Sequence, residues 1–100
     1  RAAFERLDKE NQALFKTGVD APAVILETED LGLAHQFEGT KVMRLKLEIT
    51  PKLGSPYQAE TQAMIADGSL EKYSAGKRVI VKYNPRDAMK VALFKSAERA

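Results

Sequence analysis

The chain has 100 residues, 44% hydrophobic and 30% charged, with a formal net charge of +2; this is the size and balance of one domain around one core. It has no cysteine and one histidine, which excludes disulfide frameworks, thiolate metal centres and cysteine nucleophiles. There is no run of about 18 apolar residues, so the sequence holds no membrane-spanning helix.

Residues 1–17 are rich in helix formers and lack proline, so a helix is expected that ends at Thr17-Gly18. Phe4, Leu7 and Leu14 share a stripe, with Asn11 inside it. An asparagine at such a position can fix the register of a coiled coil, but two heptads are too few to argue one. An amphipathic helix that packs on its own domain or continues from a lost anchor is the preferred reading, with self-association through this helix as the other. The opening Arg1-Ala2-Ala3 suggests a fragment from which a signal peptide or membrane anchor has been removed.

Residues 18–22, with Gly18 and Pro22, read as a break, and residues 23–28 as a short strand apolar on both faces in its first half. Turn signals at Asp30-Leu31-Gly32 and Glu38-Gly39-Thr40 bracket residues 33–37, an edge strand or a loop. Residues 41–50 form the clearest strand: Met43, Leu45, Leu47 and Ile49 alternate with Arg44, Lys46, Glu48 and Thr50. Pro51, Gly54 and Pro56 mark a connection. Tyr57, Ala59, Thr61, Ala63 and Ile65 then define a second long strand that makes a hairpin with the first. Residues 70–76 form a compact link, with Leu70 and Tyr73 expected in the core. Val79, Val81 and Tyr83 define a further strand, Asn84-Pro85-Arg86-Asp87 a type I turn, and Met89, Val91 and Leu93 a last strand. Residues 96–100 read as a polar tail.

A helix followed by closely spaced strands without β-α-β alternation predicts a mainly β domain. At this size the sheet must curl to bury its face. The expectation is a small antiparallel barrel of five or six strands, oligonucleotide-binding-like or SH3-like, over residues 18–95, preceded by the N-terminal α-helix of residues 1–17.

Few residues suit catalysis or metal binding. A zinc site needs three or four ligands, and His35 has none at a suitable spacing. No Gly-x-Ser-x-Gly elbow accompanies it. Gly76-Lys77 precedes a strand and Arg78 rather than Ser or Thr, so it is not a phosphate loop. Glu27, Glu29 and Asp30 lack the spacing of a calcium loop and read as a solvated strand end. No enzyme, cofactor or metal is expected. One arrangement fits a ligand. Residues 71–100 hold 8 Lys and Arg against 3 Asp and Glu, whereas residues 1–70 hold 8 against 11. Within the basic part, Lys72, Lys77, Arg78, Lys82 and Arg86 interleave with Tyr73 and Tyr83. Cations that track phosphates beside rings that stack bases would make a single-stranded nucleic-acid groove. Against this, both tyrosines occupy expected core positions, and outward Lys and Arg also protect sheet edges.

Four stretches together carry a resemblance: Gly18-Val19-Asp20-Ala21-Pro22-Ala23-Val24-Ile25, the strand 42–49, Ser55-Pro56-Tyr57, and Gly76-Lys77-Arg78-Val79-Ile80-Val81-Lys82-Tyr83-Asn84-Pro85-Arg86-Asp87. They resemble a group of bacterial domains of unknown function, small β domains that commonly follow membrane helices or precede a short C-terminal oligomerisation motif. Asn84 stands where that group usually has Asp, which keeps the turn and loses a charge. The resemblance implies a bacterial, membrane-tethered β domain and carries no catalytic residue. The expected function is a non-catalytic structural or protein-interaction module of a larger bacterial protein; the alternative is a single-stranded nucleic-acid-binding barrel.

Overall fold

A computed structural model describes residues 13–31 and 39–97. Most of the expected N-terminal helix, with Phe4, Leu7 and Asn11, lies outside these residues, as do His35, the bracketed segment 33–37 and the end of the tail. Residues 13–17 are helical. Among the described residues five strands follow: β1 (Val19–Asp30), β2 (Thr40–Ile49), β3 (Tyr57–Ala66), β4 (Arg78–Asn84) and β5 (Asp87–Ser96), with a 3-10 segment, Asp67–Tyr73, between β3 and β4.

Every pairing is antiparallel and the order is β3-β2-β1-β4-β5. The outer edge of β5 lies against β3, so the sheet curls into a nearly closed barrel. A meander of three strands, followed by a crossing to the other side of β1, is the order of an oligonucleotide-binding-like barrel. The interior holds the inward set that alternation predicts: Leu45, Leu47 and Ile49 of β2, Ala59 and Ile65 of β3, Val79 and Val81 of β4, and Val91 of β5. Ala21, Ala23 and Ile25 of β1 join them, while Leu70, Tyr73, Tyr83 and Leu93 pack around the rim. The β2–β3 hairpin pairs without a slip from Thr40↔Ala66 to Ile49↔Tyr57.

Four details depart from the sequence expectation. First, residues 18–22 are not a break, because β1 begins at Val19 and runs through Pro22. The Pro22 carbonyl accepts the Thr50 N–H at 3.0 Å, so its nitrogen faces the same side, where the β2 ladder is just ending. The missing N–H therefore costs the β4 ladder nothing. Second, β1 carries a bulge: Ile25 pairs Leu47, but Glu27 pairs Lys46, which leaves Leu26 as an extra residue. Beyond Ile25, whose N–H donates to Lys77 at 3.0 Å, β1 leaves β4 and continues with β2 alone. Third, Val42 is buried while Met43 is only half-buried. Here the chain leaving β1 stays attached to β2, with the Leu31 N–H donating to the Val42 carbonyl at 3.0 Å. Fourth, Met89 is 60% exposed rather than internal, because β5 separates from β4 between Asn84↔Asp87 and Tyr83↔Val91.

Candidate functional site

The five cations singled out from sequence are spread over the barrel. Lys72 lies in the last turn of the 3-10 segment, Lys77 in the turn entering β4, and Arg78 at the start of that strand. Arg86 lies past the other end, about 20 Å away along six strand steps. Lys82, between them, is engaged: its Nζ is 2.5 Å from Asp20 Oδ1 and 4.7 Å from the centre of the Phe94 ring. Tyr73 and Tyr83 are half-buried against the core, so neither presents an open ring for a base.

In barrels of this order single strands bind across the outer face of β2 and β3. Here that face carries Arg44, Lys46 and Glu48 from β2, and Gln58, Glu60, Gln62 and Met64 from β3. Among the described residues it has no aromatic ring, and its cations are matched. Arg44 pairs Glu29, Lys46 lies 3.7 Å from Glu27, and Lys41 lies 3.8 Å from Asp30. The bulge at Leu26 creates this ladder. In an unbroken strand Glu27 would share the inward face of Ile25; the extra residue turns it out toward Lys46. Sequence reading missed the bulge, since nothing in the run from Ala23 to Asp30 marks where the extra residue falls. Each exposed pair adds under about 1 kcal/mol, but together they neutralise the face. They also account for the acidic cluster considered for a hard cation: among the described residues no three carboxylate or imidazole groups are placed to hold a metal.

The seam between β3 and β5 forms a cleft of about 370 Å³ lined by Lys46, Gln58, Ala59, Glu60 and Met89. It is clipped at one end by the Tyr57 hydroxyl, which donates to the Ala88 carbonyl at 2.7 Å. Burial, and then neighbouring Tyr83, hold the Tyr57 hydroxyl above its ordinary pKa. Among the described residues Thr61 is the sole buried polar residue. The seam therefore brings an exposed thioether beside a mixed polar edge.

The helical residues 13–17 sit against the outside of β4 and β5. Phe15 and Phe94 lie with ring centres 6.0 Å apart, and the Gly18 N–H closes the helix on the Leu14 carbonyl at 2.7 Å. A Cβ at Gly18 would stand 2.5 Å from the Leu14 oxygen and 3.0 Å from Lys82 Cβ, so the close approach of helix and β4 requires glycine. From sequence Gly18 is legible as a helix stop and chain break, not as a packing contact. No protein-family model, curated protein or solved structure matches the chain.

Proposed function

We propose that this protein is a non-catalytic barrel module that binds another protein, working as the soluble part of a larger bacterial chain. The observation that carries this reading is the outer face of β2 and β3, whose cations are paired with Glu27 and Glu29 and which, among the described residues, offers no ring for stacking. A single-stranded nucleic-acid site needs unpaired cations and open aromatic faces on one surface. The scatter of Lys72, Lys77, Arg78, Lys82 and Arg86, with Lys82 tied to Asp20, supports the same conclusion. Attachment to a longer, membrane-tethered chain is supported by the resemblance of the segment from Gly76 to Asp87.

The test is anisotropy of a labelled mixed-sequence single-stranded oligonucleotide at physiological ionic strength. The proposal expects only weak, salt-sensitive attraction, with Kd weaker than about 100 μM. Affinity of about 1 μM or tighter, lost when Lys77, Arg78 and Lys82 are neutralised together in a folded variant, would replace this reading with the nucleic-acid one.

A further inference from the structure

The outer face of β4 and β5 differs in kind from that of β2 and β3. Its pairs run Val81↔Leu93 and then Ile80↔Lys95, so Phe94 is an extra residue in β5. In an unbroken strand Phe94 and Lys95 would point to opposite sides of the sheet. The bulge instead brings Lys95 out beside Ile80, with its ammonium 5.6 Å from the Phe94 ring centre. Phe94 remains 43% exposed and its neighbour Phe15 42%, so two of the chain's four phenylalanines meet on one outer surface. Lys16 follows Phe15 in the chain, and Lys90 precedes the ring on β5; both are exposed, as is Lys95. Asp20, on the adjoining part of β1, is already engaged by Lys82. The surface is thus a ring pair with the Lys82 and Lys95 ammonium groups over Phe94, and with Lys16 and Lys90 exposed further along the same helix and strand.

From this we propose that the face built by Phe15, Phe94, Lys16, Lys90 and Lys95 docks an acidic amphipathic peptide segment of a partner protein. Apolar side chains of the peptide cover the exposed ring edges, and its carboxylates meet the lysines. Charge complementarity selects an anionic partner, and the aromatic pair supplies the apolar anchor that concentrates binding energy. A nucleic-acid strand fits less well, since the Lys82 ammonium lies over the ring that a base would have to stack on. An anionic bilayer would meet the same rings and ammonium groups at its headgroup level, so the vesicle arm of the test below tells it from a peptide.

This inference rests on the protein-binding reading above, and its test separates the two. The probe is a short fluorescein-labelled peptide alternating Asp and Glu with Leu and Phe. Its control has the same charges with Ser in place of Leu and Phe. The full chain and its Lys95→Glu and Phe94→Ser variants are titrated with both, with phosphatidylglycerol vesicles and the oligonucleotide as further arms. Lys95 is exposed, so Lys95→Glu keeps the fold even where Phe94→Ser loosens the contact with Phe15. The proposal expects the amphipathic peptide to bind about tenfold or more tightly than its control, Phe94→Ser to remove that advantage, and Lys95→Glu to weaken both of the equally charged peptides. Equal affinity for the two peptides, or no binding of either, overturns it. Tight peptide binding unchanged in both variants moves the site elsewhere and leaves the protein-binding reading standing. Retention on vesicles without peptide binding makes the face a membrane contact, and oligonucleotide binding at physiological salt overturns both readings.

Discussion

Replacing Leu47 with Asp tests the register of the barrel at its centre. Leu47 is fully buried and sits between Ile25 of β1 and Ala59 of β3, both buried. Losing the leucine side chain costs about 2–5 kcal/mol. The new carboxylate must ionise in an apolar interior or stay protonated. Staying protonated at pH 7, about three units above its ordinary pKa, costs about 4 kcal/mol at 1.36 kcal/mol per unit, and that sets the ceiling on the charge penalty. The sum, about 6–9 kcal/mol, is comparable with the whole stability of a domain of this size, about 5–15 kcal/mol. The adjacent Lys46→Asp change removes an exposed pair with Glu27 and sets a carboxylate opposite Glu27 and Glu60, which at an exposed site costs about 1–2 kcal/mol in all. The carboxyl group introduced by Leu47→Asp would have a folded-state pKa above its unfolded value. Its charge penalty is therefore absent below about pH 4 and grows as pH rises toward the folded value. Urea melts followed by circular dichroism should show Lys46→Asp folded and only modestly weakened, and Leu47→Asp unfolded or nearly so at pH 7 and partly recovered near pH 4. Equal damage from the two, or a reversed order, would mean the strand faces the other way.

Three further outcomes are expected. Gly18→Ala forces a Cβ against the Leu14 carbonyl and Lys82 and should cost about 1–3 kcal/mol, seen as a Tm lowered by roughly 4–8 °C per kcal/mol; an unchanged Tm would contradict the close approach. Tyr57→Phe loses the seam hydrogen bond to Ala88, worth about 1 kcal/mol. Because the folded pKa of Tyr57 is raised, its contribution is complete below about pH 10 and fades as pH climbs through the folded value. The gap between wild type and variant should therefore narrow in alkaline melts, and a gap independent of pH would refute this. Removing residues 1–17 should lower Tm by uncovering Phe94 while sedimentation reports a monomer before and after; a dimer that dissociates on truncation would instead assign the helix to a subunit seam.

The sequence made β2 and β3 legible because one face of each is buried and the other wet, so the period of two appears residue by residue from Leu45 to Ile49 and from Tyr57 to Ile65. The turn at 84–87 was readable from its chemistry, with the Asn84 side chain accepting the Arg86 N–H at 2.8 Å. The full length of β1 was hidden. Pro22 looks like a breaker unless one knows which side its nitrogen faces, and that depends on where the β2 ladder ends. Both bulges were hidden for a related reason, since an extra residue leaves composition unchanged and shows only as a shift against a partner strand. These two residues, Leu26 and Phe94, decide the surface chemistry: one turns Glu27 outward to neutralise Lys46, the other brings Phe94 and Lys95 to the same side. The strand read at Val79, Val81 and Tyr83 already sets Arg78 and Arg86 at opposite ends of β4, but only the pairing of β1 with β4 shows that Lys82 is engaged by Asp20.

The proposed partner site lies on β4 and β5 and not on β2 and β3, and amide chemical-shift mapping reads both claims in one experiment. With ¹⁵N-labelled protein at physiological ionic strength, the acidic amphipathic peptide should shift residues around Phe15, Lys90, Phe94 and Lys95. The oligonucleotide should leave Arg44, Lys46, Gln58 and Gln62 unmoved. Saturating oligonucleotide shifts clustered on those four residues, with the β4–β5 face silent to the peptide, would contradict it.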